Sequence, residues 1–166
     1  MKKIFLTFLL SLFISCNNKT SVEWFIGDLN AAYSIANNKI IMLDFYTDWW
    51  YACSLLDANT FTNQNVAQTL NENFINIKID AETKYGKQLF ADLSGNGYPL
   101  IVFLDSDKNE IDRFYGYYEA DKFSSKLAEI LKGENVFPNL LNRYEMGDNS
   151  AEAMSKLAKK YADRGE

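Results

Sequence analysis

The 166-residue chain predicts an α/β fold, a mixed sheet flanked by helices, with a short helical extension at its C-terminal end. Three observations predict it. β-rich runs alternate with stretches of helical apolar spacing, the mark of a sheet with helices on its faces. Two later β-rich runs are separated only by Asp105 and Ser106-Asp107-Lys108-Asn109, a hairpin turn that makes the sheet mixed rather than all-parallel. After Gly133 the pattern becomes purely helical. Hydrophobic residues make up 48% of the chain, enough for one domain with a proper core and too many for a disordered chain.

Taken in order, residues 22–26 read as a short first strand. From Asp28 the spacing of Leu29, Ala32, Tyr33 and Ala36 predicts a helix that stops at Asn37-Asn38. Ile40 to Tyr46 is β-rich and apolar except for Asp44, which suits a central strand covered on both faces. A helix starts near Ala52 and gives way near Asn59-Thr60. Asn63 caps a second helical piece carrying Val66, Leu70 and Phe74. Phe74 to Asp80 alternates at period two and reads as the next strand. Residues 83–93 are helical, with Tyr85, Leu89, Phe90 and Leu93 inward, and Ser94-Gly95 closes that helix. Leu100 to Leu104 and Glu110 to Tyr115 form the hairpin. A helix over 121–132 sets Phe123, Leu127 and Ile130 on one face, and Gly133 supplies its C-terminal cap. Beyond Pro138, a last helix carries Met154, Leu157, Ala158 and Tyr161 on one stripe.

The N-terminus reads as an export signal over residues 1–15: Lys2 and Lys3, then an apolar run from Ile4 to Ile14. That run is roughly half the ~20 residues a membrane-spanning helix needs. Phe13-Ile14-Ser15-Cys16 resembles a bacterial lipobox, with Phe13 in place of the usual leucine. The resemblance implies a lipid on Cys16, a tether over 16–21, and an envelope protein anchored to the membrane and facing the periplasm or exterior. An ordinary cleaved signal is the alternative. Setting Lys2 and Lys3 aside leaves 15 of the 17 basic residues against 22 acidic ones, net −7. That balance, with no basic run, argues against nucleic acid as a partner. The chain has no histidine, which removes imidazole chemistry, and two cysteines alone leave no credible zinc set. No metal or other cofactor is expected.

The stretch Asp44-Phe45-Tyr46-Thr47-Asp48-Trp49-Trp50-Tyr51-Ala52-Cys53 resembles the active-site strand–turn–helix of the thioredoxin family. The family's motif there is Asp-Trp-Cys-x-x-Cys. The resemblance covers about 24–132, places the thioredoxin-like domain at 22–133, and is nearest to the C-terminal domain of the membrane thiol:disulfide interchange reductases. Met42-Leu43-Asp44-Phe45-Tyr46, Thr60-Phe61 and Phe114-Tyr115-Gly116-Tyr117 all carry that likeness. Residues 134–166 form the helical extension, in which 157–165 resembles the first helix of a tetratricopeptide-type hairpin. With no second helix following, it either packs back on the domain or belongs to a longer protein.

One departure governs the chemistry. Trp50 stands where the family has its attacking cysteine, and Cys53 falls on the resolving one. In the family the first thiolate, favoured by the helix N-terminus, attacks a disulfide and the second cysteine resolves the mixed disulfide. Trp50 cannot attack, so a dithiol cycle within the chain is excluded. Ser54 also replaces a frequent lysine. Cys53 is left as a buried small hydrophobe or as a lone thiol forming mixed disulfides. Asp44 matches the family's buried carboxylate, a proton acceptor during resolution. Pro99 matches the cis-proline, followed here by Leu100 rather than threonine, and Tyr98 the residue whose backbone pairs with extended substrate. Trp49, Trp50, Tyr51 and Tyr98 should converge on one groove, as rigid aromatics with polar edges are favoured binding anchors. Two functions follow. One is an envelope lipoprotein binding an extended peptide or envelope protein without dithiol activity. The other is a thiol–disulfide oxidoreductase acting through Cys53, with Asp44 in support and an external thiol or partner protein.

Overall fold

The computed structural model describes residues 21–165; the apolar leader and Cys16 lie outside the described residues. Among the described residues, four strands form one mixed sheet in the order β2-β1-β3-β4. They are β1 (Ile40–Tyr46), β2 (Phe74–Asp80), β3 (Leu100–Leu104) and β4 (Glu110–Tyr115). β1 runs parallel to β2 and antiparallel to β3, and β3 is antiparallel to β4. β1 is buried along its middle on both faces, which is why its sequence hardly alternates.

Helices cover both faces. Ile41, Leu43, Phe45, Ile77 and Val102 point into one core with Ala32 and Ala36. They face α1 (Leu29–Ile35) and α4 (Lys84–Asp92). On the other face Met42, Ile101, Phe103 and Phe114 meet Val66, Leu70, Phe123 and Leu127 from α3 (Gln64–Asn73) and α5 (Ala120–Lys132). The starts are written in the sequence: Asp28, Asn63 and Thr83 each accept a backbone N–H at an N-cap, the role short polar residues fill best. Gly133 closes α5 at φ 66°. Gly86 lets α4 lie against the end of β2, since a Cβ there would run into the Asp80 carbonyl.

Between β1 and α3 lies α2 (Tyr51–Leu55), which continues as a π-helical turn, Leu56–Thr60. The Phe61 N–H donates to the Leu56 carbonyl at 2.9 Å, the i→i+5 bond of a π turn. Thr60 Oγ1 donates to the Tyr118 carbonyl at 2.6 Å, and Phe61 packs edge-on to Trp24 and Phe123.

Three expectations need correction. Residues 22–26 form no strand. Val22 N–H bonds the Phe61 carbonyl and Phe25 N–H bonds the Asn76 carbonyl. The segment is thus shared between two elements and makes only one bridge to β2, Trp24 with Asn76. Tyr85 is not inward. It is exposed, and its hydroxyl accepts the Leu29 N–H at 3.1 Å. In the extension, α7 (Ala151–Ala162) buries Ala153, Leu157 and Lys160; of the expected stripe Leu157 is buried and Tyr161 half-buried, while Met154 and Ala158 are exposed. Its partner precedes it: α6 (Phe137–Glu145) packs on α7 and on β4. Phe137 meets Tyr161 edge-on and lies 3.8 Å from the Arg164 guanidinium. Lys160 is rolled inward because it pairs with Asp112 on β4, and Arg164 reaches Glu110 at 2.7 Å. The extension therefore packs back on the sheet.

Candidate functional site

The site lies where β1 ends. Thr47, Asp48 and Trp49 make the turn, Trp50 is the N-cap of α2, and Cys53 is the third residue of that helix. The Cys53 N–H donates to the Trp50 carbonyl at 3.0 Å, one helical turn apart. Trp50 is extended, with φ −91° and ψ 114°, and its indole caps nothing. Trp49, Trp50 and Tyr51 are 63%, 45% and 73% exposed, a large apolar outlay for a surface turn. Cys53 is 3% exposed. Burial pushes its thiol pKa up, against a backbone hydrogen bond from Thr47, so at neutral pH it is a protonated thiol in a sheltered place.

Asp44 sits at the centre of β1, 2% exposed. The parallel register sets it directly beside Lys78 on β2, whose ammonium is 3.7 Å from Oδ2. Lys78 also pairs closely with Asp57 and stands over the rings of Trp24, Tyr46 and Phe61 at 5.2, 4.7 and 5.9 Å. Asp44 Oδ1 has no partner. Burial raises the Asp44 pKa to about 7, with Lys78 pulling the other way. The carboxyl is thus poised to hold or release a proton near neutrality, and its charge acts on the Cys53 thiol. Lys78 was not among the sequence candidates. It falls among the polar positions, with Asn76 and Asp80, of the period-two alternation in β2, and so reads as an exposed residue.

The Tyr98–Pro99 peptide bond is cis, as the sequence suggests. Pro99 is buried and its carbonyl accepts the Gly116 N–H at 2.9 Å, which joins this loop to the end of β4. Beside it opens a groove of about 470 Å³ lined by Trp49, Trp50, Phe90, Gly95–Gly97 and Tyr98. Trp49 and Trp50 meet edge-on at 5.7 Å, and Phe90 and Tyr98 lie tilted at 4.7 Å. Three of the expected aromatics come together here; Tyr51 and Pro99 stand outside the lining. Phe90 and the glycine loop were missed as site residues. They are linked: a Cβ on Gly95 would press within 2.6 Å of the Phe90 ring, so glycine lets the loop lie over that ring.

The family model Thioredox_DsbH, described as a protein of unknown function, DUF255, matches residues 5–160. The thiol:disulfide interchange protein DsbD of Tatumella citrea is 31% identical over 108 residues, 63% of this chain and 19% of that protein. The chain thus spans about a fifth of the length of the curated relatives it matches. Among solved structures, the DsbD C-terminal domain of Neisseria meningitidis in its oxidised form is 28% identical. The likeness covers 60% of this chain and 86% of that one, with a TM-score of 0.50. A DsbH oxidoreductase shares the fold at a TM-score of 0.59 and 16% identity, over 79% of this chain and 95% of that one.

Proposed function

The chain belongs to the thioredoxin-like DsbH family, DUF255, and from that premise we propose that it has exchanged dithiol chemistry for binding. It holds an extended peptide or protein segment in the groove of Trp49, Trp50 and Tyr98. The observation that carries this reading is the position of Trp50. It stands at the N-cap of α2, one turn from Cys53, where an attacking thiol would stand, and its ring lines a 470 Å³ groove. Such a groove is of the size that small ligands and side chains fill, and tryptophan and tyrosine are the usual anchors in it.

The reading in which Cys53 alone exchanges disulfides has the names of the relatives in its favour. It needs an accessible thiolate, and Cys53 is 3% exposed with its pKa raised by burial. We therefore rank it second. The anchoring proposal is independent of both: a lipid on Cys16 would hold the domain at the membrane of the bacterial envelope. Cys16→Ser should then release the protein from the membrane fraction without loss of folding, and an unchanged fractionation overturns the anchor.

The groove is tested by selecting a random peptide library against the chain and measuring enriched peptides against Trp50→Ala and Tyr98→Ala. Each variant should lose about 2 kcal/mol or more of binding, the hot-spot range. The melting temperature of Trp50→Ala should barely move, since its side chain is half exposed. Absence of enrichment, or affinity unchanged in both variants, overturns the binding reading.

A further inference from the structure

The groove has a charge as well as a shape. Four aromatic rings line it, Trp49 and Trp50 in one pair and Phe90 and Tyr98 in another, and the faces of such rings attract cations. Its surroundings are acidic. Asp48 is exposed and immediately precedes Trp49. Glu82, also exposed, is close enough to Tyr98 that its charge, after burial, raises the phenol pKa. Asp48 and Asp80 act in the same sense on Tyr46 at the end of β1. Lys78, the cation over the Tyr46 ring, is already shared between Asp44 and Asp57. Lys87 is exposed one turn before Phe90 on α4, and Arg113, which donates to the Leu93 carbonyl before the glycine loop, is committed to Glu110.

We infer that the groove selects a peptide segment bearing a lysine or arginine side chain, whose cation enters the aromatic lining within the field of Asp48 and Glu82. This rests on the peptide-binding reading above and adds the chemistry of the guest. A purely apolar guest would fill the rings and leave the acidic surroundings unused. An acidic guest would meet two like charges on the way in. A cationic one is attracted over distance and, once its hydration is stripped, is compensated by ring faces and carboxylates together.

The test is titration calorimetry of the full chain with three short extended peptides that differ only at the centre, carrying arginine, norleucine or glutamate. The arginine peptide should bind about tenfold more tightly than the norleucine peptide, the range of a partly desolvated cation–π contact, and the glutamate peptide most weakly. The double variant D48N/E82Q changes two exposed positions and should lose most of the arginine preference. Equal affinity for arginine and norleucine, or a preference unaltered in D48N/E82Q, overturns the cation inference and leaves peptide binding standing. Arginine amide binding as tightly as the arginine peptide overturns the peptide reading and leaves cation selection. No binding by any of the three overturns both.

Discussion

Lys160 on α7 is ion-paired to Asp112 on β4, with the two side chains only 6% and 1% exposed. Asp112 shares its strand face with Phe114, the side that α5 covers, and β4 is the edge strand of the sheet, so α7 reaches the sheet edge to make the contact. Burial holds the Asp112 pKa above its ordinary value although Lys160 pulls it down. Water is largely gone from the pair, and each charge depends on the other.

Removing one partner should therefore cost more than the pair is worth. Lys160→Ala leaves the Asp112 carboxyl buried without its cation and should destabilise the chain by about 3–5 kcal/mol at neutral pH. Lys160→Met with Asp112→Leu should recover most of that loss. Urea denaturation of the three chains measures it. Equal stability of Lys160→Ala and wild type would show that the extension is not held by this contact.

Asp44 gives a pH dependence of definite sign. Its folded pKa is about 7 against an ordinary value near 4. Between those values the native chain keeps a proton that the unfolded chain has released. Stability from this group is full below the lower value, declines as pH rises towards 7, and is lost above it. Asp44→Asn removes the penalty. It should raise stability by about 2–4 kcal/mol at pH 8 and by little at pH 4. A variant no more stable than wild type at pH 8 would show that Lys78 compensates the charge in full.

The third prediction concerns the thiol. Wild type should show no catalysed disulfide reduction with dithiothreitol as reductant. Trp50→Cys places a thiol one turn from Cys53 with Asp44 and Pro99 retained, and should show it. Its stability should change by only about 0.5 kcal/mol, as at other exposed positions. Trp50→Cys with Cys53→Ser keeps the attacking thiol without its resolving partner and should trap substrate. Wild-type turnover that Cys53→Ser abolishes would promote the single-thiol enzyme.

Much of the fold is legible in the sequence. The runs at 40–46, 74–80, 100–104 and 110–115 are strands because their β-branched and apolar content leaves no helical stripe, and short polar caps mark where helices begin. What escaped was decided by contacts between elements. Pro138 stands in the first turn of α6, where a missing N–H costs nothing; the sequence reading places no helix there, which leaves α7 without a partner. Lys160 reads as surface and is buried, because its counterion lies 48 residues away. Phe90 fits a core stripe by spacing, and only the loop folded over it turns it towards the groove.

The π turn at Leu56–Thr60 makes chain length itself a constraint. A turn of this width carries one residue more than an α turn, and it lets adjacent residues, Thr60 and Phe61, both face inward. Thr60 holds the Tyr118 carbonyl, while the Phe61 carbonyl receives the Val22 N–H. Deleting a single residue here would tighten the turn and rotate everything after it by about 100°, the angle of one α-helical residue. Thr60 and Phe61 would then compete for one inward direction, and the segments leading from Val22 and towards α5 would both lose their moorings. A deletion in the exposed 105–109 hairpin turn has no such reach. Length variation should therefore be admissible at that turn and forbidden beside the site, with the frame of the helix acting as the ruler.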